Sequence, residues 1–213
     1  MLASILIRLG GVAAMVGGAA SAMLGVLTVL VLGVKYEIPG SIERAIQKGG
    51  YELPVLNMLL FGALAAIAAL HIVQRRHYGR WGAFASFAAF IGLVLLPVGW
   101  LVAVAWLVAG PSFTPALITA VLVVGVLAAS VGIVGLGIVT MSAGVLPRWC
   151  GIALIAGSPP GVGILFLFLS PLGMAGILPG EAVWELAGIL WIAVGYAIFR
   201  TAARRTERPA RVR

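Results

Sequence analysis

Residues 81–147 decide the fold of this chain, and they read WGAFASFAAFIGLVLLPVGWLVAVAWLVAGPSFTPALITAVLVVGVLAASVGIVGLGIVTMSAGVLP. The stretch contains no Asp, Glu, Lys or Arg, and long uncharged stretches flank it on both sides. Runs of roughly 18 or more apolar residues are typical of membrane-spanning helices. Most of the chain is therefore predicted to lie in the hydrocarbon core of a bilayer.

The composition predicts one integral membrane domain. The 213 residues are 62% hydrophobic and 9% charged, whereas soluble domains usually carry about 25% charged residues. The 29 glycines are about twice the usual share of roughly 7%, and small residues let helix backbones approach closely in membranes. The sequence predicts an all-α membrane domain over residues 1–199, with tight helix packing, and a basic cytoplasmic tail over residues 200–213 that is disordered after its first helical turn.

Charged residues and Pro/Gly clusters divide the domain into a polytopic bundle of six transmembrane helices. Segment 110–115 separates two of them, because proline interrupts a helix. The first apolar run can cross a core of about 30 Å at about 1.5 Å per residue, so it is interpreted as a span rather than a cleaved secretory signal. The predicted spans cover residues 9–34, 53–73, 81–109, 116–143, 149–169 and 182–199.

The distribution of basic residues predicts the orientation. Six spans place both termini on one side, and basic residues are retained in the cytoplasm. Three of the 14 basic residues fall on the opposite side, in loop 35–52, together with three glutamates. Both termini are therefore predicted to be cytoplasmic. The basic residues on the terminal side are Arg8, Arg75, Arg76, Arg80, Arg148, Arg200, Arg204, Arg205, Arg208, Arg211 and Arg213.

A short motif recurs at the start of the odd-numbered spans, and it has two interpretations. One is three helical-hairpin repeats, since parallel repeats occur in membrane proteins. The other is the general tendency of an inside-facing helix start to carry an arginine and an interfacial tryptophan. The three copies are Arg8-Leu9-Gly10-Gly11, Arg80-Trp81-Gly82-Ala83 and Arg148-Trp149-Cys150-Gly151.

The fifth span contains a predicted helix break. Pro159 and Pro160 lie in its middle, and the following Gly161-Val162-Gly163 widens the break. In lipid, a broken helix generally lines protein or a water-filled cavity, because its freed carbonyls need partners. Discontinuous helices form substrate sites in transporters. The break is thus a candidate cavity, and a kink of purely architectural origin is the alternative.

Two carboxylates mark a candidate gate at the start of the sixth span. Glu181 and Glu185 are four residues apart, hence on one helix face, at the end where the helix dipole favours negative charge. The favoured interpretation is a solvated helix start just below the outer surface, and the alternative is a carboxylate pair that binds a cation or takes up a proton. Asn57, one turn into the second span, is a further candidate at the cavity, with ordinary interhelical hydrogen bonding as its alternative.

The predicted cytoplasmic ends of the helices carry an interfacial group of polar residues. It comprises His71, Arg75, Arg76, Arg80 and Arg148. His71 is interpreted as reaching headgroups or water, because a metal site needs three or four ligands and a bis-histidine haem needs histidines on facing elements. The single cysteine excludes an intramolecular disulfide and a thiolate cluster. No cofactor or metal is predicted.

Small residues at four-residue spacing predict close helix contacts in the first and fourth spans. Gly18 and Ala22 form one such series, and Gly25 belongs to a second series on the same span. Gly132 belongs to a looser series on the fourth span. Spacing leaves open whether these contacts are internal or between subunits of a homo-oligomer.

Three segments carry a resemblance to a known group of proteins. They are Gly79-Arg80-Trp81-Gly82, Val145-Leu146-Pro147-Arg148-Trp149-Cys150-Gly151 and the closing Trp191-Ile192-Ala193-Val194-Gly195-Tyr196. In this pattern the chain resembles small, uncharacterised six-span integral membrane proteins of high-GC bacteria. The resemblance implies a protein of the bacterial inner membrane, and it transfers no activity and no functional residue.

Three functions remain as hypotheses. The first is a non-enzymatic accessory or scaffold component that binds lipid, including anionic lipid at the basic tail, or another membrane protein, because recognised catalytic motifs are missing. The second is a small transporter or permease for an apolar or weakly polar solute, with a pocket at Pro159 and Pro160. The third is an intramembrane enzyme using Glu181, Glu185 or His71. Nucleic acid is not a predicted partner, because the positive charge lies in short loops and a tail.

Overall fold

The computed structural model describes residues 2–33, 52–109, 115–169 and 186–207. Within this part of the chain all regular elements are α-helices, as the sequence predicts. The predicted turn 110–115 lies outside it apart from Pro115, as does loop 35–51. The helices are α1 Leu2–Gly33, α2 Glu52–Gln74, α3 Gly79–Ala109, α4 Pro115–Ala143, α5 Arg148–Ala156, α6 Pro159–Leu169 and α7 Gly188–Glu207.

Three apolar segments are long enough to cross a membrane by length and composition: Ala3–Leu27 of α1, Gly79–Gly99 of α3 and Ala116–Ala143 of α4. Helix α2 contains a shorter apolar segment, Met58–Gln74. Large apolar side chains such as Phe87 of α3 are exposed on the outside of the bundle. Extensive exposed apolar surface indicates contact with a membrane or a protein partner, so these helices are consistent with a helical membrane protein.

The helices pack in a closed ring. Helix α1 lies between α2 and α7, α2 contacts α3, α3 packs along α4, and α4 contacts α5. Helix α5 contacts α7 and so completes the ring, while α2 also contacts α7. Sequential helices from α1 to α6 are therefore neighbours, α6 also contacts α4, and the last helix returns to the first.

Glycines set the closest helix approaches. In the α1/α7 pair, a Cβ atom on Gly11 would lie 2.8 Å from the carbonyl oxygen of Gly195. In the α3/α4 pair, a Cβ atom on Gly132 would collide with the backbone of Ala89. Helix backbones can lie this close only where both helices carry glycine or another small residue. Such contacts are typical of helix packing in membranes. The chain therefore uses much of its glycine content inside the bundle.

The core lies in the half of the bundle where α2, α4 and α7 end and α5 begins. Its members come from facing helices and form one buried cluster. Such a cluster fills the space between the helices in this half of the bundle. The largest fully buried apolar side chains in it are Ile67, Leu70, Ile133, Leu136, Leu154 and Ile198.

Helix ends differ from the predicted spans in two places. Helix α1 begins at Leu2, before the predicted start at residue 9, because its first residues are also good helix formers. Helix α7 continues to Glu207, so the first part of the basic tail extends the helix beyond the single turn that the sequence predicts. Residues 208–213 lie outside the described part.

Candidate functional site

A four-residue turn joins α2 to α3 and positions the polar groups of this region. The backbone N–H of Arg75 donates to the carbonyl of His71 at 2.8 Å, and that of His77 donates to the carbonyl of Gln74 at 2.7 Å. Gly79 then has φ of 53°, a left-handed conformation that favours glycine. The chain thereby reverses direction within residues 75–79.

Tyr78 closes this turn with its side chain. The ring folds back over Gly82, where any Cβ atom would collide with it, and only 7% of the residue is exposed. Its hydroxyl hydrogen-bonds with Nδ1 of His71 at 2.5 Å and with Oγ of Ser86 at 3.0 Å. The hydroxyl carries one proton, so it donates to one neighbour and accepts from the other. Tyr78 therefore links the last turn of α2 to the second turn of α3.

The environment of Tyr78 favours its neutral form. Burial raises the pKa of the hydroxyl above its ordinary value of 10.0, and the hydrogen bond with Ser86 offsets part of this increase. A buried phenolate would lose its hydration, which explains the direction of the shift. At neutral pH the Tyr78 hydroxyl is thus a protonated hydrogen-bond partner for His71 and Ser86.

A second polar contact joins α2 to α4. Nε2 of Gln74 donates to Oγ1 of Thr140 at 3.1 Å, and the Thr140 hydroxyl lies 3.3 Å from Oε1 of Gln74. Both residues are fully buried, so each satisfies the other where water is excluded. The contact fixes the end of α2 beside the end of α4.

The arginines predicted at the interface lie beside these contacts. Arg75 and Arg76 follow Gln74 directly, and Arg80 lies in the first turn of α3. Arg148 begins α5 after the turn that contains Gly144, whose φ is 63°. All four arginines are exposed. His71 itself is partly buried, and its Nδ1 is hydrogen-bonded to the Tyr78 hydroxyl; its contact with headgroups or water stays a prediction.

The break in the fifth predicted span lies between α5 and α6, at Gly157 and Ser158. The Ser158 hydroxyl donates to the carbonyl of Ile155 at 2.5 Å and accepts from the N–H of Gly161 at 3.3 Å. Ser158 thus acts as the N-cap of α6. Pro159 occupies the first helical position, which tolerates proline because its N–H would lack a partner.

The break is narrower than the sequence predicts. Gly161-Val162-Gly163 belong to α6 rather than to the interruption. Proline can start a helix but cannot continue one, so two prolines at the start of α6 end the break instead of extending it. Pro159 is partly buried and Pro160 is exposed.

Other predicted gate residues fall outside the described structure. Glu181 and Glu185 precede the described segment 186–207, and Asn57 belongs to α2 without a described side chain. Within the described residues, no three His, Cys, Asp or Glu side chains are grouped in a way that could hold a metal ion. The side-chain pairs Gln74–Thr140, Tyr78–His71 and Tyr78–Ser86 lie near the ends of α2 and α4 and the start of α3.

The predicted packing residues occupy helix contacts. Gly18 lies against the backbone of Gly188 in α7, and the backbone of Ala22 lies close to that same glycine. Gly132 lies against α3, and Gly25 is buried in α1. Gly18, Ala22 and Gly132 therefore contact helices of the same chain.

Sequence reasoning missed Tyr78 and Gln74. It identified His71, Arg75, Arg76 and Arg80 around them as interfacial residues and assigned no role to Tyr78 or Gln74. A usable signal was the Tyr78-Gly79 pair with Gly82 four residues after the tyrosine, because a glycine at that spacing makes room for an aromatic ring on the same face. The partner of Gln74 is 66 positions away, and sequence spacing does not report such a contact.

Comparisons with protein-family models, curated proteins and solved structures find no match for this chain. Function is therefore inferred from the geometry of the chain itself.

Proposed function

We propose that this chain is a six-span helical membrane protein that acts as a non-enzymatic accessory or scaffold component and binds lipid or another membrane protein. The proposal rests on where the apolar and the polar side chains lie in the bundle. Exposed apolar groups cover the outside, whereas the polar side chains of Gln74, Thr140, Tyr78 and Ser86 bond to one another or to His71 inside. A bundle of this kind presents its surface, rather than an interior site, to its partners.

Six crossings follow if the helices are combined in chain order. Helices α1, α2, α3 and α4 provide the first four, the α5/α6 pair provides the fifth, and α7 with the residues before it provides the sixth. Antiparallel contacts between neighbours support this path: Gly11 meets Gly195, and Gly137 meets Gly151. Both chain termini then lie on the side of the arginine-rich turns, which is the cytoplasmic side by the positive-inside rule.

Burial at the recurring start motif supports an arrangement of three hairpins. In each copy the second residue is exposed, namely Leu9, Trp81 and Trp149. The third residue, Gly10, Gly82 or Cys150, is buried in each copy. The second and third positions of the motif thus have the same exposure in all three copies, as a repeat would produce, although the first copy lies within α1 rather than at its start.

Lipid is the first partner that this proposal names. In a bacterial inner membrane, which the resemblance implies, the basic tail would attract anionic lipid at about 1 kcal/mol for each arginine near the surface. A second membrane protein or another copy of the chain would contact the exposed apolar faces. Both kinds of contact leave the packed interior unchanged.

Copurification tests the proposal. The full chain is extracted in a mild nonionic detergent, and bound phospholipid and particle mass are measured after size-exclusion chromatography. Retained phospholipid, or a particle mass that exceeds one chain by a defined partner or copy, is expected. A lone, lipid-free chain together with altered solute uptake in a deletion strain would contradict the scaffold function.

A transporter is the second candidate, and the helix break at Gly157 and Ser158 favours it. Its pocket would lie at Pro159 and Pro160, with a gate near Glu185. The buried apolar cluster in the arginine-rich half of the bundle favours the scaffold instead. Uptake that requires Glu185, lost in Glu185→Gln and retained in Glu181→Gln, would support the transporter.

A further inference from the structure

The arginine-rich turns of two helix pairs lie side by side at one end of the bundle. The hydrogen bonds between Gln74 and Thr140 hold the end of α2 beside the end of α4. Arg75 and Arg76 follow the first of these residues immediately, and Arg148 follows the second after the short turn 144–147. The turns 75–78 and 144–147 therefore lie at the same end of the bundle, where Arg80 adds its charge at the start of α3.

The charge on this surface has no acidic counterpart in the chain nearby. The sequence contains neither Asp nor Glu between Glu52 and Glu181. Arg75, Arg76, Arg80 and Arg148 are all exposed, so an external anion can reach their guanidinium groups.

Two tryptophans place this surface at the depth of lipid headgroups. Trp81 follows Arg80 and is 80% exposed, and Trp149 follows Arg148 and is 43% exposed. Tryptophan is enriched at membrane interfaces, where its ring sits at the headgroup level. Phosphate oxygens at that level can accept hydrogen bonds from the planar guanidinium fork of arginine.

The turn is also held in shape before any ligand binds. The Tyr78 side chain is anchored by His71 and Ser86, and the backbone of residues 75–77 is bonded to the last turn of α2. A fixed backbone reduces the ordering cost of binding. In the tail, Arg200, Arg204 and Arg205 lie on helix α7, and Glu207, three residues after Arg204, offsets part of their charge.

We propose that Arg75, Arg76, Arg80 and Arg148 form a specific binding site for the phosphate headgroup of an anionic phospholipid. The inference rests on the proposed membrane function and deepens it, because it places lipid recognition at the two turns rather than at the tail. Lipid is the chosen source of the phosphate, since Trp81 and the apolar side chains behind it on α3 face the region where acyl chains lie.

Reconstitution tests the site with the full chain. The protein is placed in nanodiscs or micelles containing phosphatidylcholine, and the affinity for added phosphatidylglycerol is measured by native mass spectrometry. The test variant R75Q/R76Q/R80Q should bind phosphatidylglycerol at least about tenfold more weakly, because each arginine near an anionic surface contributes about fivefold. The matched control R200Q/R204Q/R205Q removes the same charge from the tail, and its loss of affinity should be smaller than that of the test variant.

Three outcomes would overturn the inference. Equal losses in the two variants would mean that total charge, rather than a site, attracts lipid. A larger loss of phosphatidylglycerol affinity in the tail variant would mean that the lipid site lies at the tail. Competition by millimolar inorganic phosphate would identify a site for the free anion. Circular dichroism of both variants checks that helix content is unchanged, and R148Q alone provides a milder variant of the site if the triple variant does not fold.

Membrane integration is measured separately by alkaline carbonate extraction. A chain released from membranes by carbonate would contradict the proposed function as well as the inference. A chain that stays in the membrane but shows no preference for phosphatidylglycerol would contradict the inference alone.

Discussion

The backbones of Gly11 and Gly195 lie so close that neither position has room for a side chain. A Cβ atom on Gly11 would lie 2.8 Å from the carbonyl oxygen of Gly195, and a Cβ atom on Gly195 would lie 2.5 Å from the carbonyl oxygen of Gly11. Seven residues along each helix, Gly18 and Gly188 repeat the relationship. Helices α1 and α7 thus meet through two reciprocal glycine contacts, one heptad apart and in antiparallel register.

Replacement of Gly11 by alanine should destabilise the bundle. The added methyl group forces the two backbones apart, and overpacking of this kind typically costs about 1–3 kcal/mol. The higher helix propensity of alanine returns only about 1 kcal/mol or less. The difference in the free energy of unfolding between wild type and Gly11→Ala, measured in mixed detergent micelles, gives the sum of these two effects.

Gly163 provides the matched control for that substitution. It lies within α6, and apart from its chain neighbours and its own helix backbone no atom of the described residues comes within 4 Å of a Cβ atom built on it. Gly163→Ala should therefore be neutral or stabilising by up to about 1 kcal/mol, through helix propensity. The same loss of stability in both variants would rule out the glycine contact as the cause.

Gln74→Leu should weaken the link between α2 and α4. The contact with Thr140 is lost, and hydrogen bonds between membrane helices contribute about 0.6–2 kcal/mol. In a double-mutant cycle with Thr140→Val, the combined cost should be smaller than the sum of the two single costs. Thr201→Val serves as a control, because the Thr201 hydroxyl donates to Ala197 within its own helix. Strict additivity of the Gln74 and Thr140 costs would contradict the contact.

The contribution of Tyr78 to stability should depend on pH at the alkaline end. Burial raises the pKa of its hydroxyl above 10.0, so its stabilising effect is fully present below pH 10 and is lost as the pH rises through the raised value. The difference in thermal midpoint between wild type and Tyr78→Phe should be constant from pH 7 to pH 9 and should shrink above pH 10. Tyr196→Phe, at a half-exposed tyrosine, controls for general alkaline effects. A difference that keeps its size up to pH 11 would show that Tyr78 ionises as easily in the folded state as in the unfolded state.

Gly82→Ala should displace the Tyr78 ring. The new methyl group would overlap the ring, so the hydrogen bonds to His71 and Ser86 should be lost together, at a cost of about 1–3 kcal/mol. In a Tyr78→Ala background the same substitution should cost little, because the obstructing ring is absent. An equal cost in both backgrounds would locate the effect of Gly82 elsewhere.

The helical class and most of the helix boundaries could be predicted from the sequence, because uncharged stretches and proline positions act locally. Pro159 and Pro160 correctly indicated an interruption. The predicted width of this interruption was wrong, because two prolines in the first turn of a helix begin that helix rather than extend the break. The start of α1 at Leu2 was also missed, since Arg8 was taken as the boundary although helix α1 accommodates it.

The polar contacts were harder to predict. His71 and the neighbouring arginines were identified from their positions at predicted helix ends. Gln74 and Tyr78 were not, because their importance depends on the close approach of α2, α3 and α4. That approach results from glycine contacts such as Gly132 with Ala89, and small-residue spacing does not specify which helix lies opposite.

Cysteine accessibility tests the central claim most directly, namely that six helices cross the bilayer with the arginine-rich end in the cytoplasm. In a Cys150→Ala background, single cysteines are placed at Arg76, at Ser41 and at Ser112, and each is treated with a membrane-impermeant maleimide in right-side-out and inverted vesicles. The cysteine at position 76 should react only in inverted vesicles, and those at positions 41 and 112 only in right-side-out vesicles. Reaction of positions 76 and 41 from the same side would contradict the account.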